Sequence, residues 1–133
     1  MIIPAALDRL DEVLAPIDAA LDKLECPMKI QMMIDLAVEE VFVNIAHYAY
    51  APDTGDAEIL VRTDEETGTI EIEFRDSGIP FDPLAKPDPD VTLSAEERKI
   101  GGLGIYLVKK NMDAVTYRRQ DGQNILTLTK KVR

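Results

Sequence analysis

The feature that most constrains the fold is a long apolar run that begins near Met28 and predicts a buried helix to about Tyr50. On a helix, residues three and four positions apart share a face, so Glu40, Asn44 and His47 form one polar stripe. A carboxylate, a carboxamide and an imidazole in a row can supply a base, a metal ligand and a phosphate contact. The alternative is a stripe that faces solvent, and this stretch alone does not separate the two.

The composition predicts one acidic globular domain that spans residues 1–133. A net charge of −10 argues against direct binding to nucleic acid or to anionic membranes, because both select basic surfaces. An acidic chain that binds a polyphosphate needs a cation or local donors, which favours a bound divalent metal. The single cysteine, Cys26, cannot form an internal disulfide, and no signal peptide or membrane span is recognisable. We therefore expect a cytoplasmic location.

A second helix is predicted over residues 5–24, where apolar residues recur at helical spacing. Pro16 lies inside it, and we expect it to kink or split the helix because proline removes a backbone donor. Five segments are predicted as strands: 1–4 at an edge, 58–62, 69–75, 115–119 and 124–129. Residues 69–75 alternate between apolar and polar, and Asp121-Gly122 indicates a hairpin turn before the last strand.

The predicted order is two helices, two strands, an irregular segment, one helix and two strands. Strands that follow each other are joined by short turns, so a mostly antiparallel mixed sheet is expected, covered on one face by about three helices. This is a two-layer α+β sandwich. The irregular segment, about 82–100, is acidic and rich in proline, and its residues 94–97 resemble a helix capping box. A loop of this length inside a domain is often a lid.

A second motif, Asp76-Ser77-Gly78-Ile79-Pro80, directly follows the clearest predicted strand. A carboxylate at a strand end can accept a hydrogen bond from an exocyclic amine, and Gly78 lets a flat ring approach the backbone closely. The same residues are typical of a simple turn, which is the commoner explanation for this motif in isolation.

A third motif, Gly101-Gly102-Leu103-Gly104, leads into a predicted helix over 105–112. Glycines at a helix start leave backbone N–H groups free to bind phosphate. The motif is not a Walker sequence, since no Gly-Lys-Ser/Thr follows, and it is not a Rossmann fingerprint, since no βαβ unit surrounds it. A flexible hinge is the alternative. Three such motifs in one order are much less expected by coincidence than any one alone.

In this order the motifs resemble the three sequence boxes of the Bergerat-fold (GHKL) ATPase and kinase superfamily, which includes the histidine kinases. Residues 40–44 are similar to its N box, 76–80 to its first glycine box, and 102–104 to its second. Within the superfamily, the whole chain most resembles the anti-sigma-factor serine/threonine kinases of bacterial partner switching. The resemblance implies the Bergerat fold, with 82–100 as an ATP lid.

The resemblance also implies roles for the residues of the polar stripe. Glu40 would act as the general base on the attacking hydroxyl, and Asn44 would coordinate Mg²⁺, which bridges the phosphates of ATP. His47 stands where histidine kinases often have a basic residue that touches phosphate. A packed, neutral histidine is the alternative at that position.

The two glycine boxes carry the remaining implied contacts to ATP. Asp76 would bind the adenine amine, with Gly78 beside the ring. Gly102, Leu103 and Gly104 would bring backbone amides to the phosphates. The chain departs from the family at Ile100, where relatives with kinase activity often have an arginine that reaches the terminal phosphate.

The function implied by the resemblance is an ATP-dependent serine/threonine protein kinase that doubles as an anti-sigma factor. It would phosphorylate a STAS-type anti-anti-sigma protein and, in its other state, sequester a sigma factor. Family members usually dimerise, so a homodimer is expected. The alternative, motivated by Ile100, is a nucleotide-gated protein-binding module with weak or no phosphotransfer.

Overall fold

The architecture of the chain was obtained from a computed structural model, which describes residues 1–85 and 102–133. A five-stranded sheet forms one layer, with strands in the order β1-β2-β3-β5-β4. The strands are β1 (Ile2–Pro4), β2 (Asp56–Asp64), β3 (Thr69–Asp76), β4 (Ala114–Gln120) and β5 (Gln123–Lys131). All four pairings between these strands are antiparallel, so the mixed character that we predicted is absent from the described strands.

Three α-helices form the second layer: α1 (Leu10–Lys23), α2 (Met28–Asn44) and α3 (Gly102–Asn111). Short 3₁₀ turns occur at Leu7–Arg9 and Pro83–Ala85. Apolar residues of the helices and of one face of the sheet form a single buried core, which confirms the predicted two-layer α+β sandwich. Among the described helices, none combines the length and the apolar character needed to cross a bilayer.

The core follows from the period of each element. In α1, the buried residues Val13, Ile17 and Leu21 recur every four positions and so lie on one face. In β3, the alternating residues Ile70, Ile72 and Phe74 are buried against the helices. Helix α2 contributes more core residues than its neighbours, which explains why its sequence is apolar on most sides: Ile34, Ala37, Val38, Val41 and Phe42.

Pro16, which we expected to kink or split its helix, does not split it, because α1 runs without a break from Leu10 to Lys23. The proline is exposed, so the carbonyl group that loses its helical partner can bond to water instead. The central helix extends to Ala49, close to its predicted end near Tyr50, but α2 itself ends at Asn44 and the last residues, Ile45–Ala49, form a π-helical turn.

The hairpin between β4 and β5 confirms its predicted turn. Asp121 and Gly122 have φ angles of 54° and 78°, the two positive values that a type I′ turn requires. This tight turn sets the register of β4 on β5, so that Tyr117 faces Leu126. Most of the predicted lid lies outside the described residues, as do the capping-box sequence at 94–97 and Ile100.

Candidate functional site

An open cavity lies between the helical layer and the sheet, at the end of β3. Ligand sites in proteins are mostly apolar with a few polar groups. Its lining is mainly apolar, with polar groups from the first two predicted motifs: Val41, Asn44, Ile45, Tyr48, Ala49, Phe74, Asp76, Ile79, Phe81, Pro83, Ile105, Tyr117, Asn124 and Leu126. The cavity can therefore hold a largely apolar ligand group that also forms a few hydrogen bonds.

Among the described residues that line the cavity, only Asp76 carries a carboxylate, and 6% of its surface is exposed. Its Oδ1 atom accepts two hydrogen bonds, from the Gly78 backbone N–H at 3.0 Å and from Asn124 Nδ2 at 2.9 Å. Its Oδ2 atom accepts none from the residues that the structure describes. A ligand in the cavity that carries a hydrogen-bond donor can therefore bind to Oδ2.

Gly78 lies directly against the end of the π-helical turn. A Cβ atom at this position would overlap the carbonyl oxygen of Ala49, so only glycine fits without a backbone shift. The next residue, Ile79, donates its backbone N–H to the same carbonyl oxygen at 2.9 Å. The loop after β3 is thus seated on the helical layer, and the π-helical turn supplies the acceptor.

Tyr50 also holds this loop, through hydrogen bonds of its hydroxyl group. The Ser77 backbone N–H donates to the Tyr50 hydroxyl at 2.8 Å, and that hydroxyl donates to the Asp56 carbonyl oxygen at 2.5 Å. Burial raises the pKa of Tyr50; the Ser77 bond opposes this, whereas the charges of Asp76 and Asp56 add to it. The phenol therefore remains a donor at neutral pH and links the start of β2 to the loop.

Asn124 is a polar residue of the site that our sequence reasoning missed. It lies on β5 opposite Asp76, and 6% of its surface is exposed. The sequence did contain a signal, because Asn124, Leu126 and Leu128 alternate along β5 and all three are buried. A carboxamide at the first of three inward-facing positions of a strand requires hydrogen-bond partners.

The N-box residues lie beside the cavity on the last turns of α2. Glu40 and Asn44 are half-buried, and neither side chain has a hydrogen-bond partner in the described part of the chain. Asn44 lines the cavity. Across from them, a Cβ atom on Gly104 would lie 2.5 Å from Glu40 Oε2, so the start of α3 touches the carboxylate. The structure therefore brings the N box and the second glycine box together.

His47 does not join this group. It is exposed on the π-helical turn, is not among the residues that line the cavity, and makes an edge-to-face contact with Tyr48 at 5.9 Å between ring centroids. A π-helical turn places successive side chains at a different angle from an α-helix, so the stripe that we predicted does not continue in register past Asn44. Gly102 and Leu103 form the first positions of α3.

A family model described as the histidine kinase-like ATPase domain matches residues 3–130. The chain belongs to this family. Serine/threonine-protein kinase BtrW from Bordetella bronchiseptica is 29% identical over 101 residues, which cover 76% of this chain and 70% of BtrW. Serine-protein kinase RsbW from Bacillus licheniformis is 30% identical over 98 residues, which cover 69% of this chain and 60% of RsbW. This chain thus spans less than two thirds of RsbW.

Solved structures share the fold of this chain. The SiaB–SiaC complex from Pseudomonas aeruginosa matches with a TM-score of 0.62 and 17% identity, over 98% of this chain and 88% of the other. The Acinetobacter baumannii histidine kinase AdeS matches with a TM-score of 0.55 and 14% identity, over 100% of this chain and 68% of AdeS. A blue-light-activated histidine kinase domain from Erythrobacter litoralis matches with a TM-score of 0.51 and 18% identity, over 80% and 46% of the two chains.

Proposed function

We propose that this chain is an ATP-dependent serine/threonine protein kinase and anti-sigma factor. It phosphorylates a STAS-type anti-anti-sigma protein and sequesters a sigma factor, as a homodimer in the cytoplasm. The observation that carries the proposal is the grouping of three polar features around one apolar cavity. Asp76 lies at its base, Asn44 lies in its wall, and Glu40 faces the start of α3.

The base of the cavity fits an adenine ring. Phe74, Leu126 and Ile79 supply apolar surface, and Asp76 Oδ2 is left to accept a hydrogen bond from the exocyclic amine. A guanine ring would place a carbonyl oxygen at that point, where it would face the carboxylate. The site therefore favours adenine among the purines.

The start of α3 fits the phosphates. Its first backbone N–H groups have no acceptor within the helix, and the helix dipole favours an anion there. Gly104 has no side chain to separate these groups from Glu40 and the mouth of the cavity. We assign the phosphate contacts to Gly102, Leu103 and Gly104, and we keep exposed His47 as a contact only for a phosphate that extends beyond the cavity.

The donor set at the mouth of the cavity also fits Mg²⁺. No group of three or more His, Cys, Asp or Glu side chains that could hold a metal occurs among the described residues. Mg²⁺ does not need such a group, because it is usually held by one or two protein oxygens together with waters and substrate phosphates. Asn44 would supply an oxygen ligand. When bound, the ion neutralises charge on the phosphates of ATP.

Glu40 is the proposed base for transfer. The hydroxyl oxygen of the substrate serine or threonine forms a bond to the terminal phosphorus, and the bond from that phosphorus to the bridging oxygen of ADP breaks. The hydroxyl proton passes to the Glu40 carboxylate, which has no partner in the described part of the chain to compete for it. The similarity to two proteins named as serine or serine/threonine kinases supports transfer to a serine or threonine hydroxyl.

The proposed partners follow from the same relatives. SiaB was solved in a complex with SiaC, so a protein of this fold can hold a protein partner. The net charge of −10 disfavours nucleic acid as the direct target, which leaves a protein target for an anti-sigma factor. A chain that binds ATP and a sigma factor but transfers no phosphate would instead be the nucleotide-gated binding module that Ile100 motivates.

Two measurements test the proposal. Calorimetry should detect micromolar-range ATP binding that requires Mg²⁺ and is lost in N44A and in D76N, two substitutions that remove one oxygen ligand or one acceptor charge. Labelled γ-phosphate should move to a STAS-domain protein from the same genome with the wild type and not with E40Q. Absence of ATP binding to the wild type would overturn the whole proposal, whereas binding without transfer would overturn only the kinase.

A further inference from the structure

Asn124 makes four hydrogen bonds at the base of the cavity. Its Nδ2 atom donates to Asp76 Oδ1 at 2.9 Å and to the Ile79 carbonyl oxygen at 2.7 Å. Its Oδ1 atom accepts from the Tyr117 hydroxyl at 2.5 Å and from the Phe81 backbone N–H at 3.3 Å. One buried carboxamide therefore joins β3, β4, β5 and the loop after β3.

The orientation of this carboxamide is fixed by backbone groups. The Phe81 N–H can only donate, so the atom that faces it must be the amide oxygen. The Ile79 carbonyl can only accept, so the atom that faces it must be the amide nitrogen. A flip of Asn124 by 180° would place a donor against a donor and an acceptor against an acceptor. Nδ2 is therefore held toward Asp76.

This orientation decides which oxygen of Asp76 is free for a ligand. Oδ1 receives donors from Gly78 and Asn124, which together fix the plane of the carboxylate. The carboxylate is left with Oδ2 as its acceptor toward the cavity. Without the Asn124 donor, one hydrogen bond would remain on Oδ1, and the carboxylate could rotate away from the direction that an amine in the cavity requires.

We propose that Asn124 is a positioning residue for nucleotide recognition: it orients Asp76 toward the 6-amine of adenine, and Tyr117 on the edge strand β4 supports it. This inference rests on the proposed function, because it concerns the same cavity. Asn124 acts through Asp76 and does not itself touch the reacting phosphate. Selection for the 6-amine is therefore built from β3, β4 and β5 together.

The first test replaces the donor with a group that donates only when protonated. In N124D, two ionised carboxylates face each other at about pH 8, and ATP binding should be about tenfold or more weaker than in the wild type. At about pH 5.5, a proton on the introduced carboxyl can be donated to Asp76 Oδ1. The affinity relative to the wild type should then recover by at least about fivefold.

The comparison with the wild type at each pH cancels other titrations. The titratable and charged groups around Asp76 are Tyr50, Asp56, Tyr117 and Arg119, whose Nη1 atom donates to the Gly78 carbonyl oxygen at 2.9 Å. They are the same in both proteins, as are the phosphates of ATP. A pH-independent ratio of the two affinities would overturn the inference.

The second test does not depend on the folding of N124D. Purine riboside triphosphate lacks the 6-amine, so the wild type should bind it at least about tenfold more weakly than ATP. In N124A, this ratio should fall by at least about threefold, because the amine no longer meets a fixed acceptor. A structural role alone would weaken both nucleotides equally and would overturn the inference. A wild type that binds neither nucleotide would instead overturn the proposed function.

Discussion

Gly104 at the start of α3 lies so close to Glu40 on α2 that a methyl group there would be 2.5 Å from the Glu40 Oε2 atom. We expect G104A to move the carboxylate, since it is the end of a flexible side chain, without a large loss of stability. A misplaced base should lower the rate of phosphate transfer by at least about tenfold. Transfer of labelled phosphate, together with the midpoint of thermal unfolding, checks this.

The control for G104A is a double-mutant cycle with E40A. If the added methyl acts only through Glu40, it should cost almost nothing more in activity once that carboxylate has been removed. Losses that simply add, or a fall in unfolding midpoint that accounts for the lost activity, would contradict the assigned contact.

Gly78 presents the opposite case, because its close neighbour is backbone. In G78A the new Cβ atom would overlap the Ala49 carbonyl oxygen, which cannot move without disturbing the π-helical turn. We expect the free energy of unfolding to fall by about 1–3 kcal/mol, as for other overpacked sites. ATP binding should be lost as well, and denaturant titration with calorimetry measures both.

S77A is the matched control for G78A. Ser77 is exposed, and the hydrogen bond that holds it, donated to Tyr50, comes from its backbone N–H and not from its side chain. Its stability should stay within about 0.5 kcal/mol of the wild type. Equal effects at positions 77 and 78 would mean that the loop after β3 is sensitive to any change, rather than to the contact with Ala49.

Glu73 lies on the face of the sheet opposite the helices, yet only 3% of its surface is exposed. Its carboxylate pairs with Arg75 at 2.7 Å and lies 3.9 Å from Arg62 and 3.8 Å from Arg118. E73Q would leave three arginines clustered around a neutral group. We expect a loss of about 1–3 kcal/mol in the free energy of unfolding, with ATP affinity unchanged.

Glu71 provides the comparison on the same strand and the same face. It pairs with Arg62 at 2.6 Å, but both side chains are substantially exposed. E71Q should therefore cost less than about 1 kcal/mol, as is usual for surface ion pairs. Denaturant titration should give E73Q a clearly lower free energy of unfolding than E71Q. The reverse order would show that burial does not control the strength of these ion pairs.

Asp18 on α1 and Asp35 on α2 are half-buried, and their carboxyl groups lie close together. When both are ionised, their Oδ1 atoms have no hydrogen-bond partner in the described part of the chain. Burial, a hydrogen bond with Asp18 and the charge of Asp18 raise the pKa of Asp35 from 3.8 to about 7. The folded protein thus holds a proton that the unfolded chain has already released between these two pH values.

Stability should therefore fall as pH rises through this window. The contribution of the shared proton is complete below about pH 4 and is lost by about pH 8. In D35N, an amide replaces the proton donor, and the decline in unfolding midpoint between about pH 5 and pH 8 should be smaller than in the wild type. D53N, which changes an exposed loop residue, should keep the wild-type slope. A slope unchanged in D35N would exclude this pair as its cause.

The sheet was the part of the fold most readily predicted from sequence. In β3, Ile70, Ile72 and Phe74 alternate with charged residues, and this alternation alone predicts which side chains face the helices. Asp121-Gly122 specified its turn because few other residue pairs adopt two successive positive φ angles. The alternation and the turn both depend on residues that are neighbours in the chain, so they can be predicted from the sequence.

Other features depend on tertiary contacts that a local pattern does not contain. Whether Pro16 interrupts its helix depends on whether that face of the helix is exposed to water or packed in the core. The π-helical turn after Asn44 is stabilised by contacts of Ala49 with the loop after β3, about thirty residues later in the chain. The role of Asn124 depends on its contact with Asp76, which lies opposite it in the β3–β5 register and which a local pattern does not reveal.

The strand order has a consequence for the chain during its synthesis. β5 leaves the ribosome after the other four described strands, yet it lies between β3 and β4, and Asn124 meets Asp76 across 48 residues. Until then, β3 presents an unpaired edge and Asp76 lacks one of its two donors. A nascent chain therefore cannot form the finished cavity, and its unpaired β3 edge is exposed to other nascent chains during translation.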